Sequence, residues 1–516
     1  MATYALSSCP DALWRTDYEG TWKSGQDCAD LFIINKNTRF SYEMVYENQA
    51  KDVHPPLYYF LIHSLESFFP GIFSKWIGLV PNIVFCLLTT FLIFYISNQI
   101  TGHKVISVST AFLWAFSIGS LNTAVFIRMY AMLTFLATAL LALHIKLWKS
   151  LHNGKKLKYW IYILLLLCTT AGILTQYYFM IFCFFLCGSF VLYLLFCRRW
   201  RLLFHYIFIE TVSIVVSITA FPPMIYQIIG DGYRGKEAFQ NAASSDGTME
   251  SLQKVASIIS NQNSSGGLKQ LIIISILIVV LFAVNRYFLH LKINCDKCGR
   301  QLVLKFDVYL EKEFTWNFSF NELPYVIILV TAVGYYVLVA KIAPFQVDRY
   351  YMCIYPLVSL LMAKLMFMTL GVFKLSMQKK VLSFILIIAV INISGQITQN
   401  VNYLYEERIE RNKLHEYKEL PVIIINGTYS WYPTAWLYEY FEHPVVFRSK
   451  CNFNLEGLQN ASNNCDLTDG FLLYACRTAM EEEELFSKIK EFIPIASYEK
   501  IVSNADPVYL CFLEVN

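Results

Sequence analysis

The sequence predicts a polytopic α-helical membrane protein that carries a small α/β domain, and three observations predict it. Of 516 residues, 56% are hydrophobic and only 16% charged, with a mean hydropathy of +0.44. That balance leaves too little polar surface to wrap several soluble cores. Uninterrupted apolar stretches of the ~20 residues that a helix needs to cross a bilayer recur through the middle of the chain. Charge is also segregated: residues 1–76 carry 6 basic and 9 acidic side chains, residues 77–398 carry 26 and 11, and residues 399–516 carry 10 and 18. Disorder, collagen-like repeats and a disulfide-stapled mini-protein are excluded by the same composition, and nothing in it points to nucleic acid.

Ten stretches have spanning length, near 77–97, 105–124, 129–148, 159–177, 179–197, 204–225, 270–289, 324–343, 350–372 and 381–398. The loops Lys146–Lys158, Arg198–Arg201 and Lys374–Lys380 hold five, three and three basic residues and no acidic ones, which assigns them to the cytosolic side. Threading ten spans through that constraint puts the polar head 1–76, the 120–128 and 342–349 turns, the 226–269 loop and the polar tail 399–516 together on the outer face. The expected localisation is therefore a cell membrane, multi-pass, with head and tail extracytoplasmic, or the endoplasmic reticulum membrane in a eukaryote. The inner loop 290–323 is the weak member, because its basic residues are almost balanced by acidic ones. An outer head of 76 polar residues with no signal peptide also leads us to expect a further transmembrane helix upstream of Met1.

The tail alternates short β-rich runs, Pro421–Ile425, Val445–Phe447, Phe471–Ala475 and Pro507–Leu513, with helical patterns near Ala435–Phe441 and Glu481–Phe492. This reads as an α/β domain of roughly 110 residues, a packing or acceptor-docking module without a catalytic cluster of its own. Of fourteen cysteines, eight lie in or beside spans or in the inner loop, where a thiol is a small hydrophobe. Cys295-Asp-Lys-Cys298 is half of a zinc-knuckle spacing with no second pair nearby. Cys9 with Cys28 and Cys451 with Cys465 are candidates for disulfides in an oxidising compartment, and Asn263, Asn426 and Asn460 begin outward sequons that matter only in a eukaryotic host.

Chemistry concentrates in the head. Asp52-Val53-His54-Pro55-Pro56-Leu57-Tyr58-Tyr59 precedes an amphipathic stretch ending at His63. Two consecutive prolines stop a helix from running through and hold Asp52 and His54 at a defined height over the membrane surface. The same residues can equally form a juxtamembrane turn whose histidine caps a helix.

Asp-Val-His-Pro-Pro-Leu resembles the first outer loop of GT-C membrane glycosyltransferases, the superfamily of protein O-mannosyltransferases and lipid A aminoarabinose transferases and their bacterial mannosyltransferase-like relatives. Further residues match in order. Arg128-Met129-Tyr130 resembles the family's Arg-x-Tyr at the outer start of a span. Gln176-Tyr177-Tyr178-Phe179 resembles its next outer turn, Phe221-Pro222-Pro223 its proline before the large outer loop, and Asp348-Arg349-Tyr350-Tyr351 with Tyr355-Pro356 its Arg-Tyr motif near the last spans.

The resemblance implies a GT-C-like bundle whose first family helix is missing from residues 1–516. It also implies an inverting transfer of a sugar from a polyprenyl-phosphate donor to a protein, lipid or wall-polymer acceptor on the extracytoplasmic face. Arg128 and Arg349 are expected to hold the donor phosphate, because a guanidinium grips two phosphate oxygens and stays charged as the leaving group gains charge. Tyr130, Gln176, Tyr177 and Tyr350 are expected beside them, and Asp52 and His54 form the candidate catalytic pair. Each arginine alone also fits an interfacial snorkelling side chain. Relatives carry an acid just before a Thr-Tyr-Ala-Leu-Ser-like run, which here begins at Thr3, so that acid falls before Met1. Asp11, Asp17, Asp27, Asp30, Glu43 and Glu47 are also in the head, each a solvated loop acid by default.

Many relatives have histidine where Gln176 stands, so a divalent metal is left open and no metal ligands are assigned; His54 and His63 lack a third ligand. Glu210 and Lys364, charged residues within spans, raise the rival class of a lipid-linked sugar flippase or secondary transporter, and a chain starting at Met1 raises that of a scaffold with weak catalysis.

Overall fold

A computed structural model of the chain describes residues 2–11, 20–154, 158–229, 233–244, 247–264, parts of 266–280, 292–298, 301–307, 322–373, 375–398, 413–426, 443–450, 465–476, 481–503 and 507–514. They form two compact units, one made of 1–80 with 402–516 and the other of 81–401.

The membrane unit is built from long apolar helices. Those of spanning length among the described residues number seven: α5 (Lys75–Thr101, which enters from the first unit), α8 (Tyr130–His152), α10 (Phe179–Phe196), α11 (Trp200–Ala220), α15 (Leu323–Ile342), the continuous stretch Asp348–Gly371, and α17 (Met377–Thr398). Three expected spans differ. The 105–124 stretch is a pair, α6 (Lys104–Ala115) and α7 (Ile118–Val125), bent by 57°. The break is chemical: the Ser117 hydroxyl accepts from the Ser120 amide at 3.1 Å and caps a new helix. The 159–177 stretch yields only the 15-residue α9 (Tyr159–Ile173). Beyond it the chain turns back so tightly that a Cβ on Gly172 would stand 2.1 Å from the Phe179 ring. Most of 270–289 lies outside the described residues. Before α15 the chain forms a hairpin of β2 (Lys292–Cys298) and β3 (Gln301–Asp307), and the Cys295–Cys298 pair sits on its first strand.

Between α11 and α15, where the sequence shows a polar loop, the chain folds into α12 (Pro223–Ile229), α13 (Tyr233–Ala243) and α14 (Thr248–Ser264). Asn122 of α7 donates to Gln262 of α14 at 2.8 Å in a buried contact. Asn263, expected to be an outward sequon, is buried instead, its amide donating to the Ile259 carbonyl at 2.9 Å. A helix that packs into the bundle must turn one face inward, and this asparagine is on it.

The other unit joins head and tail through one sheet. Its six strands run β1 (Trp22–Ser24), β5 (Val445–Lys450), β4 (Val422–Asn426), β6 (Phe471–Cys476), β8 (Val508–Leu513) and β7 (Ile495–Val502). β4 is parallel to both neighbours, and β1 closes the edge by pairing Trp22 with Phe447. Ile423, Phe447, Leu473, Phe486 and Ile489 fill its core with α18 (Glu482–Lys490). The β-rich runs and the helix after Glu481 therefore form as expected, whereas the helical pattern at 435–441 lies outside the described residues. Cys9 and Cys28 are separate buried thiols, and Cys451 is not described.

The head itself packs around α4 (Leu57–Ser67). α1 (Ala2–Ser8) lies on it: the Ser8 hydroxyl donates to Glu66 at 2.8 Å, and His63 Nδ1 donates to the Ser7 carbonyl at 2.6 Å. Both ionisable groups are buried. Burial pushes Glu66 well above the usual carboxylate range, against the Ser8 hydrogen bond, and pulls His63 below the usual imidazole value. The signs oppose each other. Glu66 stabilises the fold fully at pH values below its unfolded pKa, and that contribution is lost as pH rises toward its raised folded value. The His63 contribution is present above the ordinary imidazole pKa and is lost as pH falls through its lowered one. We expect Glu66→Gln to raise the thermal midpoint relative to the parent by an amount that widens from pH 5 toward neutrality. A constant difference across that range would show that Glu66 does not carry a proton in the fold.

Candidate active site

Two groups of side chains carry chemistry, one in each unit. In the first, α3 (Tyr42–Lys51) ends at Asp52, which turns to an extended backbone, and the two prolines hold α4 off until Leu57. Asp52 Oδ2 accepts from His54 Nδ1 at 2.9 Å, with both side chains less than one-fifth exposed. The pairing fixes the tautomer: Nδ1 carries the proton toward the carboxylate, which leaves Nε2 as a lone-pair acceptor. His54 does not cap the helix; Pro56 occupies that position.

Of the other head carboxylates, Glu43 and Glu47 are exposed on α3. Asp27 closes a capping box with Ser24, its Oδ2 accepting from the Ser24 amide at 2.9 Å, and the Ser24 hydroxyl holds it below the usual carboxylate range. Asp30 accepts from Gln26, and Asp11 pairs with Lys51 at the surface. Asp17 is outside the described residues.

In the membrane unit, the short turn before α8 places Arg128 and Tyr130 together, and Phe126 stacks on Tyr130 at 5.7 Å. Asn82 of α5 donates to the Phe126 carbonyl at 2.7 Å and pins that turn. Across from it, a 3-10 segment, Asp348–Ile354, runs into α16 (Tyr355–Val372). Tyr355 donates to the Asp348 carbonyl at 3.2 Å and Tyr335 to the Tyr350 carbonyl at 2.8 Å, so Arg349 leaves a backbone tied at both ends. α7 accommodates the Tyr355 ring because Gly119 has no Cβ; one would meet the ring at 2.8 Å.

These supports bring four of the expected residues, Arg128, Gln176, Arg349 and Tyr350, to the neighbourhood of Tyr130. The buried Tyr130 lies within electrostatic reach of Arg128, Arg349 and Tyr350, and its hydroxyl is in hydrogen-bond range of the Gln176 side chain. Gln176 Oε1 also accepts from the Tyr178 amide at 3.2 Å, and the Tyr178 ring meets Tyr350 edge-on at 5.2 Å. Glutamine thus serves here as a hydrogen-bonding bridge. Tyr177 points elsewhere and donates to Gln227 of α12. Sequence reasoning missed Arg234 of α13, which lies within electrostatic reach of Tyr178, sits 5.1 Å over the Phe345 ring and pairs with Glu237 at 2.7 Å. Its signal was weak, a lone arginine in a polar loop. Beside Phe345 and Gln346 opens a cavity of about 520 Å³ lined by Asn241, Ser244, Thr248, Lys254 and Lys341. Lys341 donates to the Ser244 carbonyl and, at 2.9 Å, to the Thr248 hydroxyl.

The chain is similar, over 99% of its own length and 96% of the other's, to the crystal structure of ArnT from Cupriavidus metallidurans in the apo state, with a TM-score of 0.50 and 10% identity. The fold is like that of this ArnT structure. No family model and no curated protein matches the sequence. At 10% identity that likeness rests on architecture, a helical membrane bundle with a C-terminal sheet domain. Of the two charged residues within spans, Lys364 is paired with Glu322 at 2.8 Å, and Glu210 lies beside His144 and Cys187.

Proposed function

We propose that this chain is an inverting membrane glycosyltransferase that moves a sugar from a polyprenyl-phosphate donor to an acceptor on the extracytoplasmic face. The observation that carries the reading is the gathering of Arg128 and Arg349 on Tyr130. A lipid-linked donor keeps its tail in hydrocarbon and its phosphate at the boundary, so its cations belong at helix ends. Arg128 lies two residues before α8, and Arg349 is the second residue of the stretch that continues into α16. Two guanidinium groups fixed by tied backbone neutralise the phosphate as the glycosidic bond breaks, when its charge is greatest. The polar cavity beside Phe345 and Gln346, with its lysines and hydroxyls, suits the donor's sugar. In the other unit, Asp52 and His54 are the proposed catalytic pair: His54 Nε2 is the atom that takes up a proton, with Asp52 orienting the ring and stabilising the imidazolium that forms. A divalent metal forms no part of this assignment.

The product is read most directly by mass spectrometry of cell-envelope glycans with and without the gene. We expect one glycosylated species to disappear and to return when the chain is supplied in trans; an unchanged glycan profile would contradict the reading.

A further inference from the structure

Deep in the membrane unit, away from the arginine cluster, four side chains with metal-binding chemistry meet on three helices. His144 is on α8, Cys183 and Cys187 are on α10, and Glu210 is on α11. His144 Nε2 or Nδ1, Cys187 Sγ and a Glu210 oxygen lie within 4.8 Å of one another. We propose that His144, Cys187 and Glu210 bind a divalent cation of the zinc class.

Three features support the proposal. The imidazole is oriented as a ligand: His144 Nδ1 donates to the Leu140 carbonyl at 2.7 Å, which leaves Nε2 facing the cluster, where the Tyr206 hydroxyl stands at 2.7 Å. A backbone carbonyl on the far nitrogen is the usual support of a metal-bound histidine. Glu210 Oε1 is buried with no hydrogen-bond partner of its own among the described residues, although Thr169 and Tyr206 stand within hydrogen-bond range of the carboxylate; an unmet oxygen costs free energy in an apolar interior unless something else meets it. Charge balances as well: a doubly positive ion with one thiolate, one carboxylate and a neutral imidazole makes a centre of zero net charge, the form that a low-dielectric surrounding tolerates.

Zinc prefers this mixture of nitrogen, sulfur and oxygen at about 2.0–2.3 Å, so the ligand atoms must close from their present spacing by roughly 1 Å. Rotation of the Cys187 and Glu210 side chains supplies that movement. Binding forms Zn–N, Zn–S and Zn–O bonds; the Cys187 thiol proton, and that of Glu210 where it is protonated, pass to solvent, and the Tyr206 hydroxyl leaves Nε2. Cys183 lies within hydrogen-bond range of Cys187.

The site is separate from the proposed donor site, since His144 lies fourteen residues beyond Tyr130 on α8, about 21 Å along the axis. Its effect would be to cross-link three helices where lipid removes the hydrophobic drive for association.

The test uses full-length protein in detergent, loaded with Zn²⁺, desalted and analysed for metal by mass spectrometry. We expect roughly one zinc per chain, falling at least about tenfold in Cys187→Ser and in the shape-preserving Glu210→Gln, and unchanged in Cys168→Ser. Co²⁺ loading should give a thiolate charge-transfer absorption in the parent that Cys187→Ser lacks. If Cys187→Ser fails to fold, Glu210→Gln decides. Zinc no higher in the parent than in these variants, or a cobalt complex without the thiolate band, would show that the cluster is a hydrogen-bonded core without metal and overturn the proposal.

Discussion

Arg349→Ala and Arg128→Ala should each lower product formation by about 10²–10³-fold, the loss expected when one preorganised donor to a developing anion is removed. Both arginines serve the same phosphate, so the double variant should fall less than the product of the two single losses. Membrane insertion should be intact, because neither side chain fills the bundle core; both are partly exposed. Lysine should rescue each position only in part, since an ammonium keeps the charge but cannot present a planar fork to two phosphate oxygens. The measurement is quantitative mass spectrometry of the glycan that the parent chain restores in a gene-deleted strain. Full product with both alanine variants would remove the phosphate assignment, whatever the fold.

His54→Gln should separate binding from turnover. The assigned role of His54 is to accept a proton, worth about 10²–10⁴-fold in rate, while donor affinity resides in the arginine cluster. Product formation should therefore fall by that factor with binding of a polyprenyl phosphate unchanged. Asp52→Asn should fall less far: the amide still meets Nδ1 at the geometry that now measures 2.9 Å, but it no longer stabilises an imidazolium or enforces the tautomer. Equal activity of His54→Gln and the parent would return the His-Pro-Pro turn to a purely structural role.

The parts of this architecture that were legible in the sequence are those set by local composition. Seven spans stand out because an apolar run must be helical in lipid. The tail strands stand out because β-branched residues cluster between turn formers. The bend at Ser117 was hidden, since one serine in an apolar run changes hydropathy little yet caps a helix. β1 was hidden for a different reason: Trp22–Ser24 is a strand only through pairing with Val445–Phe447, over 400 residues away.

The candidate site divides in the same way. Asp52 and His54 are two residues apart and were readable as a pair. Arg128, Tyr130, Gln176, Arg349 and Tyr350 were gathered by resemblance to a motif set, and the structure brings them around one tyrosine. Arg234 was not readable, because its approach to Tyr178 depends on how the 226–269 segment folds into helices. The cluster of His144, Cys187 and Glu210 escaped for a related cause: three helices must be packed before residues 66 positions apart can share a centre.

Direct titration of the purified full-length protein with a polyprenyl phosphate is the most immediate check on the arginine assignment. We predict saturable binding that weakens about 10- to 100-fold in each of Arg128→Ala and Arg349→Ala, the size of a lost charge-assisted hydrogen-bond pair, and that is insensitive to Lys500→Ala on the sheet unit. Equal affinity in parent and arginine variants, or no saturable binding by the parent, would contradict the account.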